Sequence, residues 1–362
     1  MIGIYTHDLY DGRERLMPWK TVLSFAEYCS SNSIQITVFS ISKSDLRNYM
    51  VGDINIIQVS YSMLESNLAQ NNFSRIYFPV SKRSAHRVYR FVKSLSCEVV
   101  LYFPGSIYPL KQVVKNLYYS GINENIPYIL ESVFPYVFLR RLIELKNVEN
   151  CFVFSEGTFT HIEARVKLNK LKVSFTGYGT VDYDSNWEGN PNNFLISFGG
   201  PSKLRGWIFL AKAMKYVEEW SPDVRVRILL RNDKGFKSRH VTKVHEALGA
   251  LDNVELITKE LSRSEFMANI REAQAVILPF LLIPSELPIS FHEVVSLGKK
   301  VLSIDQIALR GLFETNLLLS RYSPRAFAKL IIHQWRSKET MNSSEELHNY
   351  NWERMSIQWL EL

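Results

Sequence analysis

Cysteine is scarce in this sequence, with three in 362 residues. Cys29, Cys97 and Cys151 are scattered, odd in number and without metal-ligand spacing. That excludes a disulfide framework and fits a reduced, cytoplasmic chain. Cys97 and Cys151 each open an apolar run and read as core. Long hydrophobic runs are missing too, since no stretch approaches the roughly 18 uninterrupted apolar residues of a membrane span. Met1-Ile2-Gly3-Ile4-Tyr5 leads straight into a polar loop, so no N-terminal targeting segment is expected. The chain has no H-E-x-x-H pair, no G-x-S-x-G elbow and no Walker loop, which leaves zinc proteolysis, serine hydrolysis and P-loop chemistry without a signal. No internal repeat and no low-complexity tract is visible.

What is present is ordinary globular composition, 46% hydrophobic and 22% charged. The length suits two domains better than one core. Lys and Arg exceed Asp and Glu by 43 to 36, a net charge of +7. The excess is concentrated between residues 81 and 115, where Lys82, Arg83, Arg87, Arg90, Lys93, Lys111 and Lys115 face a single acid, Glu98. Such a field attracts an anionic bilayer, a phosphorylated acceptor or nucleic acid, while a solvated helix face is the bland alternative. No nucleic-acid module accompanies it, and nucleic acid is not expected as a partner. Pro109 to Tyr119 is amphipathic. Tyr128 to Leu145, apolar and aromatic, is expected to form core helices with basic outer faces.

Short apolar runs alternate with helical periods along the chain. Ile2–Tyr5, Ile34–Phe39, Arg75–Val80, Glu98–Phe103 and Cys151–Phe154 read as strands, and Trp19–Ser31, Ala85–Leu95 and Thr158–Val166 as helices. A turn-rich stretch from Gly177 to Asn193 then interrupts the pattern. The alternation restarts with strands Phe194–Phe198, Val224–Leu230 and Val254–Thr258 and helices Trp207–Trp220, Thr242–Leu251 and Ser262–Ala273. Ser262 and Glu265 have capping-box spacing. Beyond Phe313 the period is mostly helical. These features predict an α/β protein with two doubly wound parallel sheets. Residues 1–180 form the first domain, 181–193 a linker, 194–342 the second domain and 343–362 a C-terminal helix.

The segment from Pro284 to Val301 carries the chemistry. Ala275 to Phe280 before it and Val301 to Ile304 after it read as buried strands, with a polar loop and a helix bearing Glu293 between them. Open α/β sheets bind ligands at such strand ends, and a carboxylate there is a bidentate acceptor for paired hydroxyls. His292 points about 100° away from Glu293 on a helix and reads as packing.

This stretch resembles the donor motif of retaining glycosyltransferases of the GT-B fold, family 4 in particular. Phe152-Val153-Phe154-Ser155-Glu156-Gly157, Gly177-Tyr178-Gly179-Thr180-Val181-Asp182, the loop Gly199-Gly200-Pro201-Ser202-Lys203-Leu204-Arg205-Gly206 and Asn351-Trp352-Glu353 extend the resemblance. It implies two Rossmann-like domains facing across a cleft, with the final helix crossing back to the first. It also implies transfer of a sugar, with retention, from a nucleoside diphosphate to a glycan, lipid-linked or protein-linked acceptor, with no cofactor and no metal.

The residue roles follow from that resemblance. Arg205 falls on the family's diphosphate Lys; the companion Arg position is Gly200, and Lys203 stands in. Glu293 holds the ribose, while Ser285 occupies the first acid position and Glu286 beside it takes the sugar hydroxyls. Backbone donors for the diphosphate come from Gly199, Gly200, Leu287, Ile289 and Ser290. Lys259, Leu261 and Arg231 line the base pocket, a plain structural loop being the alternative for each. In the first domain Gly12 and Arg13 form the loop over the diphosphate, and His7, Gly105 and Ser106 meet the acceptor, Pro104 standing where many relatives carry His. A GT-B sugar-nucleotide epimerase and a non-catalytic nucleotide-sugar-binding subunit are the competing readings. The expected location is the cytoplasm, with contact at the inner membrane face through the basic surface.

Overall fold

Burial on both faces explains why so many strands here are unbroken apolar runs. The computed structural model describes residues 1–9, 18–42, 48–64, 72–174, 194–200, 202–230, 238–283, 289–312, 317–337 and 351–361. Its first sheet comprises β1 (Ile2–His7), β2 (Ile36–Ile41), β3 (Tyr49–Val51), β4 (Ile54–Val59), β5 (Arg75–Pro79), β6 (Glu98–Tyr102), β7 (Val148–Val153) and β8 (Leu171–Val173). Their spatial order is β3-β4-β2-β1-β5-β6-β7-β8. The second sheet comprises β9 (Leu195–Gly199), β10 (Val226–Leu230), β11 (Val254–Ile257), β12 (Val276–Ile277), β13 (Val301–Ile304) and β14 (Leu317–Ser320), in the order β11-β10-β9-β12-β13-β14. Every described pairing is parallel except the hairpin β3–β4.

In each sheet the chain winds outward in one direction and then returns to wind in the other. The reversal lies between β1 and β5 in the first sheet and between β9 and β12 in the second. Adjacent loops leave in opposite directions at these switch points and open a crevice there.

The helices begin with α1 (Trp19–Ser31), α2 (Ala85–Lys93), α3 (Leu110–Ser120), α4 (Ile122–Val133), α5 (Tyr136–Ile143) and α6 (Glu156–Val166). The second half adds α7 (Trp207–Trp220), α8 (Ser238–Gly249), α9 (Arg263–Glu272), α10 (Ile289–Ser296), α11 (Pro324–Ser337) and α12 (Trp352–Leu360). The capping box is present: Ser262 accepts the Glu265 amide, and Glu265 accepts the Ser262 amide at 2.8 Å. Phe134, held extended before Pro135, separates α4 from α5.

Three expectations need correction. The stretch beyond Phe313 contains a strand, β14, paired with β13 from Val301↔Leu317 to Ile304↔Ser320. A four-residue apolar run has no period of its own, so the neighbouring strand decides. Tyr128–Leu145 is not simply core, because Leu130, Val133 and Val137 are exposed. Cys151 is buried, but Cys97 is only half-buried just before β6. The predicted linker at 181–193 and the boundary at 342/343 lie outside the described residues.

Among the described residues, two helices pack on the sheet of the other half. The α12 helix packs on the first sheet, where Trp359 is fully buried and stacks on Phe152 at 5.6 Å and Tyr77 at 5.4 Å. Its indole donates to Ser174 Oγ at 2.8 Å, and Tyr77 donates to the Trp359 carbonyl at 2.5 Å. In the other direction, α3 packs on the second sheet. Tyr108 and Val113 belong to that sheet's apolar core, and Asn116 donates to the Leu281 carbonyl at 3.0 Å. The Tyr108 hydroxyl accepts the Ile283 amide at 2.8 Å and lies 3.2 Å from Gln306 Oε1. Tyr108→Phe strands that buried amide, and we expect a loss of about 1–3 kcal/mol in urea unfolding.

Candidate functional site

The C-terminal edges of the two sheets meet. Beyond β7, the Gly157 amide donates to the Arg310 carbonyl at 3.2 Å. A Cβ at Gly157 would run into the Ile307 carbonyl, so only glycine permits this approach. Phe103, Gly105 and Ser106 after β6 lie with Ser155 and Ala308 around a small enclosed space between the halves.

On the second sheet the turn after β9 is held tightly. Gly199 has φ 139° and Gly206 φ 79°. A Cβ on Gly199 would come within 2.5 Å of Arg205 Nη1, and one on Gly206 would collide with the Pro279 carbonyl. The Leu281 amide donates to the Leu204 carbonyl at 2.8 Å, and the Trp207 indole donates to the Gly200 carbonyl at 2.8 Å. These bonds pin the turn onto the exit of β12, across the switch point. The Arg205 guanidinium therefore lies against Gly199, with Cζ 5.0 Å from the Phe280 ring centroid. Gly206 caps α7, whose first-turn amides point toward the same turn.

Glu293 arrives from the other side of that switch point. Phe280 meets Phe291 of α10 edge-on at 5.5 Å, linking the Arg205 platform to the helix that carries Glu293. Glu293 is 9% exposed and pairs with Arg263 at 2.6 Å. Ser290, on the same helix, has a buried hydroxyl with no partner among the described residues. Lys203 sits in the Arg205 turn and pairs at 3.6 Å with Glu124 of α4, across the interdomain boundary.

The first domain contributes a cavity of about 390 Å³ at the ends of β1, β5 and β6, lined by His7, Arg83, Gly105, Ser106, Tyr128 and Glu131 among others. Burial lowers the His7 pKa, opposed by Asp8. Burial also raises that of Glu131, opposed by the backbone amides of Lys82 and Arg83, which its carboxylate accepts. The entrance to the loop after β1 is anchored: Ser40 and Gln58 donate to the Leu9 carbonyl at 2.9 and 2.7 Å.

Arg205, Lys203, Gly199 and Gly200 thus share one turn, with Ser290 and Glu293 on the helix after the neighbouring strand β12. Ile289 opens that helix. His7, Gly105 and Ser106 share the first-domain cavity. Lys259 and Leu261 follow β11, two strands from β9 at the sheet edge; Lys259 is exposed and pairs with Glu265 at 3.8 Å. Gly12, Arg13, Arg231, Ser285, Glu286 and Leu287 lie outside the described residues. The partners Arg263, Glu124 and Phe280 carry no sequence pattern that assigns them to these positions.

His292, beside Glu293, is buried, and desolvation pushes its pKa down to about 3. The unfolded chain takes up this proton near pH 6.5. Stability from the neutral imidazole is complete above that pH and declines as pH falls toward 3. The unfolding free energy from urea titration is expected to drop by about 1–2 kcal/mol between pH 7 and 5, with a shallower pH dependence in His292→Met.

The whole chain superimposes on several solved structures. Sucrose-phosphate synthase from Thermosynechococcus elongatus matches with a TM-score of 0.66 at 12% identity, over 99% of this chain and 97% of that one. A glycosyltransferase from Rickettsia africae ESF-5 gives 0.65 at 12% identity over 99% and 96%. The α,α-trehalose 6-phosphate synthase from Burkholderia multivorans gives 0.65 at 9% identity over 100% and 97%. The fold is therefore GT-B: two Rossmann-like domains across a cleft, with the C-terminal helix returned to the first. No family model matches the chain, and no curated protein matches it in sequence.

Proposed function

We propose that this GT-B chain is a glycosyltransferase. It moves a sugar, with retention, from a nucleoside diphosphate to a hydroxyl acceptor, in the manner of family 4 hexosyltransferases (EC 2.4). The observation that carries the reading is the arrangement at the second switch point. A glycine-bounded turn holds the Arg205 guanidinium over Phe280, and a withdrawn carboxylate, Glu293, lies on the helix whose Phe291 packs on that same Phe280 ring. A departing diphosphate accumulates negative charge, and fixed cations and amides stabilise that charge without reorganising. Arg205 and the first turn of α7 supply them in this reading, in place of a bound metal. Glu293 accepts the two ribose hydroxyls, releasing Arg263 or sharing with it. Glu286 keeps the sugar-hydroxyl role that the resemblance implies. The acceptor, a glycan or a lipid- or protein-linked sugar, enters by the cavity at His7 and Ser106.

The test is a thermal-shift series with UDP-, GDP- and ADP-glucose. A ligand at about 100 times its Kd adds about 2.7 kcal/mol to folded-state stability. One nucleotide is expected to shift the melting temperature in this way. Glu293→Ala is expected to lower affinity at least about ten-fold, the value of one charge-assisted hydrogen bond. No shift with any of the three would overturn the reading. Donor binding without hydrolysis or transfer would select the non-catalytic alternative.

A further inference from the structure

The exposed apolar surface of this molecule is concentrated. Among the described residues, most of the large exposed hydrophobic side chains fall between positions 110 and 137. On α4, Ile122, Ile126, Leu130 and Val133 recur at helical spacing along one face, with Ile122 63% exposed. On α3, Val114 and Tyr118 are exposed as well, Tyr118 by 75% although its hydroxyl accepts from Lys212 at 2.8 Å. The rest of α4 is occupied: Tyr128 on the far side and Ile129 along one flank of the stripe pack against the second core.

The helices next to α4 carry exposed positive charge. Arg83, Arg87 and Arg90 are exposed at helical spacing at and along α2. His86, between them, stacks on Phe134 at 6.1 Å and meets Phe138 edge-on at 6.0 Å, so the basic face abuts the α4–α5 junction. Lys111 and Lys115 are exposed beside Val114 on α3. The carboxylates nearby are engaged elsewhere. Glu124 pairs with Lys203, Glu131 accepts two backbone amides, and Glu144 pairs with Arg140 at 2.8 Å. Such a stripe with cationic helices beside it is the surface an anionic bilayer binds. A second copy seated on the same face would set one basic helix against another. Among the described residues no helix is long and apolar enough to cross a membrane.

We propose that the α3–α4 face rests on an anionic lipid surface, with the α4 stripe among the acyl boundary and the arginines and lysines at the headgroups. The same helix turns Pro127, Tyr128 and Glu131 into the cavity that holds His7 and Ser106. Docking therefore brings that cavity close to the headgroup layer. If the glycosyltransferase reading holds, the acceptor class this favours is a polar head carried by a membrane lipid; docking itself does not rest on that reading.

The experiment is co-sedimentation of the full chain with vesicles of phosphatidylcholine alone and of phosphatidylcholine with phosphatidylglycerol, at low and high salt. Each basic residue near an anionic surface strengthens partition about five-fold. The expected result is at least about ten-fold stronger partition to the anionic vesicles, weakened by salt. Ile126→Asp with Leu130→Asp should abolish it, and Arg87→Glu with Arg90→Glu should weaken it by about ten-fold or more. Circular dichroism melting and donor-induced thermal shifts should be unchanged in both pairs. If the aspartate pair fails to fold, the arginine pair decides. Equal partition to neutral and anionic vesicles, or no partition, overturns the proposal, as does a dimer that the stripe substitutions dissociate. Vesicle binding without any donor shift in the wild type would leave docking standing and remove the enzymatic reading.

Discussion

Replacing Arg205 with alanine is expected to lower transfer from the preferred nucleotide sugar by about 100- to 1,000-fold, the cost of removing one preorganised donor aimed at developing charge. The melting temperature should stay close to that of the wild type. The two expectations separate because of how the side chain is held. Arg205 is half-buried, against Gly199 on one side and the Phe280 ring on the other, with its turn closed by backbone bonds from Leu281 to Leu204 and from Trp207 to Gly200. None of those bonds uses the guanidinium. The loss should appear in kcat as well as in binding, because diphosphate charge grows toward the transition state. Arg205→Lys should recover part of the activity, since it keeps the charge but not the planar fork. Unaltered turnover in Arg205→Ala would remove the diphosphate role.

Trp359→Ala is expected to cost about 3–5 kcal/mol, measured by urea unfolding. No other substitution considered for this protein should cost as much stability. Trp359 is fully buried and stacks with Phe152 and Tyr77, with Phe25 5.2 Å away. The alanine leaves a cavity under the first sheet, and Ser174 loses its indole donor. The α12 helix packs the C-terminal end of the chain on the first sheet, so loosening it should also broaden the unfolding transition. Tyr108→Phe at the second sheet is a useful comparison, because it removes a hydrogen-bonding oxygen and leaves the packing nearly intact. A Trp359→Ala cost near that of Tyr108→Phe would mean that α12 is not seated as described.

The parallel sheets were legible because their strands are buried on both faces, and an apolar run with turn residues at each end needs no partner to be recognised. Trp19–Ser31, Trp207–Trp220 and Val301–Ile304 agree residue for residue with the expected elements. The β3–β4 hairpin was not among the expected strands, although Gly52-Asp53 between two apolar runs is a hairpin turn and Gly52 takes φ 56°. The turn at Gly199–Gly206 announced itself by its glycines and its two bases. Its actual constraint, the approach of Gly206 to the Pro279 carbonyl, joins residues more than seventy positions apart and leaves no local mark.

Local residue order settled which segments are strands and helices, where the glycines bend the chain and which cations and acids stand at strand ends, because those depend on periodicity and backbone sterics within a few residues. Which apolar residues go inward was decided only by tertiary contact. The α3 helix gives Val113 and Asn116 to the second sheet and leaves Val114 and Tyr118 in solvent. Lys203 meets Glu124, and Glu293 meets Arg263, for the same reason. Packing and ion pairing are set by distance in space, and chain order does not encode that distance for segments that meet only after folding.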